Sequence, residues 1–331
     1  MKGKFTFRHV GMVMLLLSSQ LVQAKVWRIN NNAGSAANFA QIPDAMGNPS
    51  VVAGDTLYLE GSATIYTGAN FTKKLVVIGP GYLLSGNDGN PGLQYNPNSA
   101  TVTLYIDSTA SGSKFFGLTL TANMHGGADD LLFERCLVGF NSWSSGRSMN
   151  NIKVNKCIVN GFRIGTYATE NLEITNCIIE NSFSYTSGNN ILFRNNIVNG
   201  ITMTIANAYI TNTIFYGGAF TFSTCTVKHN ISTGNTLPAG NNNRNNIAAV
   251  TIFVTSLSRD GKWVLLPTSP ARGTGEPING ITPDLGIFGT DDPYRISGIP
   301  PVPTVYELTV PSSVPATASN MTITVSTRSN N

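Results

Sequence analysis

Leu131-Leu-Phe-Glu-Arg-Cys-Leu-Val138, Ile152-Lys-Val-Asn-Lys-Cys-Ile-Val159 and Leu172-Glu-Ile-Thr-Asn-Cys-Ile-Ile179 are one phrase written three times. The chain then continues it with substitutions: Ile191-Leu-Phe-Arg-Asn-Asn-Ile-Val198, Ala208-Tyr-Ile-Thr-Asn-Thr-Ile-Phe215 and Cys225-Thr-Val-Lys-His-Asn-Ile-Ser232. Each copy opens apolar, any, apolar, polar, the period-2 pattern of a strand with one buried face. It breaks at an Asn or a basic residue and resumes with an apolar pair, as a chain does after turning a corner into a second strand.

The sixth residue of each copy falls at Cys136, Cys157, Cys177, Asn196, Thr213 and Asn230, so successive repeats are 21, 20, 19, 17 and 17 residues long. That is too short for a four-stranded propeller blade, and the phrase lacks the helical stretch of most helical repeats. The expected fold is an all-β, right-handed parallel β-helix. In it, like residues stack in columns about 4.8 Å apart, and Ile152, Leu172 and Ile191 share one inward column. The column of Cys, Asn and Thr at the sixth position is placed to link neighbouring coils by hydrogen bonds. Stacked cysteines have suitable Cα separations, but in-register Cβ vectors fit the disulfide torsion poorly. Cys136, Cys157 and Cys177 are therefore read as buried free thiols rather than bridges; Cys225 lies in another column.

Residues 1–24 follow a secretory pattern: Lys2, Lys4 and Arg8, an apolar run from Val10 to Leu17, and a small residue at Ala24. Without them the chain loses three of its 21 Lys and Arg and none of its 17 acidic residues, leaving a net charge of +1. Localisation is expected to be secreted or cell-surface, with no transmembrane segment in the mature chain, because no later run approaches the roughly 20 apolar residues a spanning helix needs. Charged residues are only 11% of the chain, and no cluster of Lys and Arg suits a phosphate backbone, so nucleic acid is not an expected partner.

The ends carry other signals. Ser35 to Met46, rich in Ala, reads as a short capping helix ahead of Val51-Val-Ala-Gly-Asp-Thr-Leu-Tyr-Leu59. Ile299-Pro-Pro-Val-Pro303 reads as a stiff linker, and Tyr306 to Val310 and Met321 to Val325 as two short strands. The expected organisation is a leader over 1–24, a β-helix domain over 25–290, and a proline-rich linker with a short β tail over 291–331.

A short helix followed by Ala53-Gly-Asp-Thr-Leu-Tyr-Leu59 and Leu75-Val-Val-Ile-Gly-Pro-Gly81 resembles the opening coils of the pectin-lyase-like β-helix superfamily. Trp263-Val-Leu-Leu-Pro-Thr-Ser-Pro-Ala-Arg-Gly273 with Pro283-Asp-Leu-Gly-Ile-Phe-Gly289 is similar to the closing segment of such proteins. The tail resembles the C-terminal ends of exported surface β-helix proteins of Gram-negative bacteria, without a motif that equates with a sorting signal. These resemblances imply architecture; one fold hosts many chemistries.

The candidate chemistry lies in His125-Gly-Gly-Ala-Asp-Asp130. Paired carboxylates serve as acid and base in glycoside hydrolysis, and polygalacturonases of this superfamily carry an Asp-Asp pair near glycine, which makes Asp129, Asp130 and His125 catalytic candidates. The rest of that pattern, an Asn-x-Asp and an Arg-x-Lys, is missing, since Arg163-Ile-Gly165 lacks the lysine. A solvated turn is the alternative for the two acids, and a structural corner residue is the reading of His229. Lyases of the superfamily combine calcium-binding acids with a basic residue, but Asp55, Asp88, Asp107, Asp129 and Asp130 are dispersed, so calcium stays a weak expectation and no other cofactor or metal is expected.

Trp143, Tyr167 and Tyr185 fall seven, ten and eight residues after their cysteines. They are candidate substrate-binding aromatics along one face, suited to sugar rings, with packing over the adjoining coil as the alternative. The expected function is that of an exported, non-catalytic carbohydrate-binding or surface structural protein with a polysaccharide or cell-surface glycan as partner. The competing reading is a polysaccharide lyase or glycoside hydrolase of the same fold.

Overall fold

The computed structural model describes residues 24–330 apart from 87, 88, 91, 92, 126, 144–146, 164–168, 256 and 257, so the leader lies outside the described residues. It is a parallel β-solenoid of about 9 turns built from a 10-stranded and an 11-stranded sheet. The first sheet runs from Val26–Ile29 to Thr226–Lys228 and the second from Tyr66–Phe71 to Ile231–Ser232. Every neighbouring pair within these two sheets is parallel, and Ile152, Leu172 and Ile191 stand in register in one buried column, as the repeat predicts. Between the sheets, inward rings stack along the axis: Phe115 on Phe133 at 4.9 Å and Phe162 on Phe183 at 4.8 Å between centroids.

The corner between the sheets has a backbone cause. The fifth residues of the phrase, Arg135, Lys156, Asn176, Asn195, Asn212 and His229, all have φ between 52° and 56°. This is the left-handed region, which Asn enters at least cost among residues with a side chain. A second column, Asp130, Asn151, Asn171, Asn190, Asn207 and Thr224, makes the same turn just before the first-sheet strand. Seven asparagines thus stand where the chain changes direction.

The sixth-position column links the coils directly. The backbone N–H of Cys136 donates to Cys157 Sγ, that of Cys157 to Cys177 Sγ, that of Cys177 to Asn196 Oδ1 at 2.8 Å, and that of Thr213 to Asn230 Oδ1 at 2.9 Å. Each side chain in turn donates to a carbonyl, as Asn196 Nδ2 does to Ile174 O at 2.9 Å. Three stacked thiols occupy amide positions because S–H also donates weakly and its sulfur accepts. All four cysteines are free.

The coils stop at Ser232, earlier than the expected boundary near residue 290. Residues 247–299 double back along the outside as a strap. Ile158, Ile178, Ile197, Ile214 and Ile231 point away from the inner core at the corner, and Ile252, Trp263, Leu265, Leu285 and Ile287 cover them to make a second hydrophobic cluster. The corner residues hold the strap in reverse order. His229 Nδ1 meets Thr274 O at 3.5 Å, Asn212 O accepts from Gly286 N at 2.8 Å, and Asn176 Nδ2 donates to Asp292 O at 2.9 Å. Lys156, buried, pairs with Glu134 and Asp292, and Arg135 Nη1 donates to Ile299 O at 2.9 Å. The stretch around Ile299 read as a linker is thus partly docked, with Tyr294, Ser297 and Ile299 buried.

The N-terminal helix is shorter than its composition suggests, Ile42–Gly47, with Pro43 in the first turn and Asp44 accepting from the Gln41 N–H. The expected tail strands form an antiparallel pair, Thr304–Thr309 with Thr324–Arg328. Among the described residues, no helix is long and apolar enough to cross a membrane.

Candidate functional site

A groove of about 800 Å³ lies on the outer face of the second sheet. Alternation sends its lining residues outward, and in-register stacking extends each position into a row. One row runs Thr103, Thr121 and Gly139; the next runs Tyr105, Asn123, Asn141, Arg163 and Ser184. Gly139 leaves a gap in the wall, and Ile65, 67% exposed, forms an apolar rim.

Beyond Asn160 the register shifts. Asn160 stands opposite Glu180, whereas Phe162 stands opposite Phe183, so the later coil carries one extra residue. At this irregularity Asn181 and Ser182 face the groove. Asn181 donates to Asn160 Oδ1, and Arg163 Nε donates to Ser182 Oγ at 3.3 Å. Among the described residues, the lining contains one charged side chain, Arg163, and no Asp, Glu or His. The groove continues past Ser182 into a shallower cleft at Asn199–Thr202, flanked by Glu180, which is paired with Arg259 at 2.5 Å. Such a surface supplies hydrogen-bond donors and acceptors and one cation; none of its described side chains exchanges a proton near neutral pH.

The catalytic candidates lie elsewhere and are otherwise engaged. Asp129 Oδ1 accepts from the Asn150 N–H at 2.6 Å, and Asp130 Oδ1 accepts from Asn151 Nδ2 at 2.8 Å. Asp130 sits at φ 57° at the head of the asparagine ladder, where Asn171 Nδ2 next donates to Asn151 Oδ1 at 2.9 Å. Both carboxylates thus brace adjacent coils. His125 meets the Tyr105 ring edge-on at 5.6 Å. Nearby Asp107 has its pKa lowered, chiefly by the backbone N–H of Thr109 and to a smaller extent by His125. Among the described residues no group of three His, Cys, Asp or Glu could hold a metal ion.

The aromatic stripe is not assembled as expected. Tyr185 is 1% exposed, lies edge-on to Phe162, and accepts the Thr169 N–H at its hydroxyl, so its ring belongs to the core. The cause is register: Asn141, Arg163 and Ser184 align, which leaves Tyr185 one place short of the Trp143 row and on the opposite face. Trp143 pairs with His125 through its backbone; its side chain, and the whole of Tyr167, lie outside the described residues.

The Asp of Ala-Gly-Asp-Thr-Leu-Tyr-Leu also has a structural role. Buried Asp55 accepts from the N–H groups of Lys25 and Val52 and from Trp27 Nε1, tying the first coil to the second. No protein-family model matches the chain, and no curated protein or solved structure matches it.

Proposed function

We propose that the chain is an exported, non-catalytic glycan-binding or surface structural protein, of a type related to the pectin-lyase-like right-handed β-helices, that receives a polysaccharide in the groove of its second sheet. The observation that carries this reading is the composition of that groove: Thr, Asn, Ser and Gly in continuous rows, with Arg163 as the only charge among the described residues of the lining. Its volume of about 800 Å³ lies within the range of ligand sites. Its openness along the solenoid axis suits a chain rather than an enclosed small molecule. Amide and hydroxyl groups match sugar hydroxyls, and the Arg163 guanidinium offers a planar donor pair to a carboxylate-bearing ring.

The opposing enzymatic reading rests on Asp129, Asp130 and His125; against it stand the bonds by which Asp129 and Asp130 each accept from the next coil, at Asn150 and Asn151. The deciding experiment is calorimetric titration against a panel of neutral and acidic polysaccharides, with product analysis of the same mixtures. Binding without cleavage, weakened severalfold by Arg163→Ala or Asn141→Ala at unchanged melting temperature, supports the proposal; each lost hydrogen bond is worth about 1 kcal/mol, roughly fivefold in affinity. Release of unsaturated or reducing sugars, or the absence of binding across the panel, overturns it.

A further inference from the structure

The two ends of the solenoid are finished differently. At the N-terminal end, the helix Ile42–Gly47 lies against the first strand of the second sheet, and Gln41 Oε1 accepts the Thr67 N–H at 2.9 Å. At the C-terminal end, the first sheet is also closed. The His229 N–H donates to Asn241 O at 2.9 Å, Asn243 Nδ2 to Val227 O at 2.8 Å, and Leu237 is buried over the core.

The last long strand of the second sheet, Ala219–Ser223, has no such cover. It pairs on one side with Thr202–Ala206 and on the other with nothing among the described residues. In a parallel ladder, alternate residues bond to alternate sides. Ala219 N bonds to Ile201 O and Ser223 O accepts from Asn207 N, which leaves the N–H and C=O groups of Phe220 and Phe222 directed outward. The rings of Phe220 and Phe222 pack on Phe215 at 4.7 and 5.8 Å but remain partly exposed, because no further coil lies over them.

Open edges are normally blunted by a charge, a proline or a covering loop. Here the sequence from Ile214 to Val227 contains no charged residue and no proline. A two-fold contact brings the same patch of both copies together, so a charge there would oppose self-pairing and its absence permits it.

We propose that Ala219–Ser223 pairs antiparallel with the same strand of a second copy, joining two solenoids end to end about an axis through Thr221. Phe220 then exchanges backbone hydrogen bonds with Phe222 of the second copy, and Phe222 with Phe220. The half-covered rings of each end close over the other, and the second sheets of the two copies become one continuous sheet. The proposal is independent of what the groove binds.

Thr221 is exposed with its backbone satisfied within its own sheet, so Thr221→Lys and Thr221→Glu test the contact without disturbing the core. Light scattering coupled to size exclusion is expected to give twice the monomer mass for the wild type and the monomer mass for each variant alone at unchanged melting temperature. An equimolar mixture of the two variants is expected to recover the doubled mass by charge complementarity. A monomeric wild type overturns the proposal. So does a dimer that survives Thr221→Lys, or a mixture that stays monomeric.

Discussion

The hydroxyls of Tyr82 and Tyr294 lie 2.6 Å apart although 212 residues separate them in the chain. Both are buried, and burial pushes both phenols well above their ordinary pKa. Tyr294 also donates to Asp260 Oδ2 at 3.1 Å, which accepts the Ser297 N–H at 2.6 Å, while Asn90 Nδ2 donates to Asp260 Oδ1 at 3.0 Å. A buried carboxylate surrounded by donors is a fastening; it joins an early loop, the start of the strap and the strap's end.

Removing one hydroxyl from this network leaves the others short of partners. Tyr294→Phe is expected to cost about 1–3 kcal/mol, the range for an orphaned buried polar group. Thermal unfolding measures the loss, and limited proteolysis should show the strap around residues 290–300 cut before the coils. An unchanged melting temperature would remove the network from the account of stability.

Gly286 packs the strap backbone against the isoleucine column. Its φ is +83°, and a Cβ there would stand 3.0 Å from Ile214 Cδ1 and 3.1 Å from Ile197 Cδ1. Gly286→Val should therefore destabilise twice, by about 1–2 kcal/mol of backbone strain and by about 1–3 kcal/mol of overpacking. Proteolytic release of the strap at temperatures where wild type resists is the readout. Equal resistance would contradict the close packing.

Asp55 provides the pH dependence. Burial alone would raise its pKa, but the N–H of Lys25, the Trp27 indole and the N–H of Val52 together hold it below the ordinary value. A depressed folded-state pKa contributes stability above the unfolded value of roughly 4, and that contribution is lost as the pH falls through the folded value. Asp55→Asn should be less stable than wild type at pH 7, with the difference narrowing below about pH 4. A stability gap that is constant down to strong acid would show that Asp55 is not linked to folding in this way.

The three stacked thiols should resist modification. Burial raises the pKa of Cys136 and Cys157 well above the usual thiol value, and Cys177 is equally inaccessible. Alkylation of the native protein is expected at half-exposed Cys225 first, with the others reacting only after denaturation. Mass spectrometry of peptides reads this directly, and a native bridge between any two stacked cysteines would refute it.

Asp129 and Asp130 separate bracing from catalysis. Asp130→Asn keeps an Oδ1 acceptor for Asn151 and puts at the head of the ladder the residue found on its other rungs, so stability should hold. In the double variant Asp129→Asn, Asp130→Asn, glycan binding should be unchanged. Loss of a measured bond-cleaving activity in that variant would establish the enzyme instead.

Most of the solenoid was legible because its coils repeat: strand alternation, inward columns and the hydrogen-bonding role of Cys136, Cys157 and Cys177 all follow from stacking one phrase on itself. The corner conformation was legible in part, since an Asn or a basic residue breaks every copy, and its left-handed φ explains why. Tyr185 departs from the expected face because counting from Cys177 ignores the one extra residue opposite Asn160 to Phe162, and a shifted register reverses which face a side chain occupies. The strap was missed for a different reason. Leu265, Leu285 and Ile287 meet a column of isoleucines one at a time, at irregular intervals, so their spacing carries no period. The groove depends on which polar residues share a row, and that emerges only once every register is fixed.

The returning strap also decides from which part of the rod the chain leaves. The antiparallel tail pair is held beside the early coils, where the Tyr95 N–H donates to Val305 O at 2.9 Å and Arg328 donates to Leu93 O, while Lys25 enters at the first coil. Entry and exit therefore sit toward the same pole. The pole that carries Phe220 and Phe222 is thereby left clear of both Lys25 and the tail pair, so a second copy can meet that edge without displacing either.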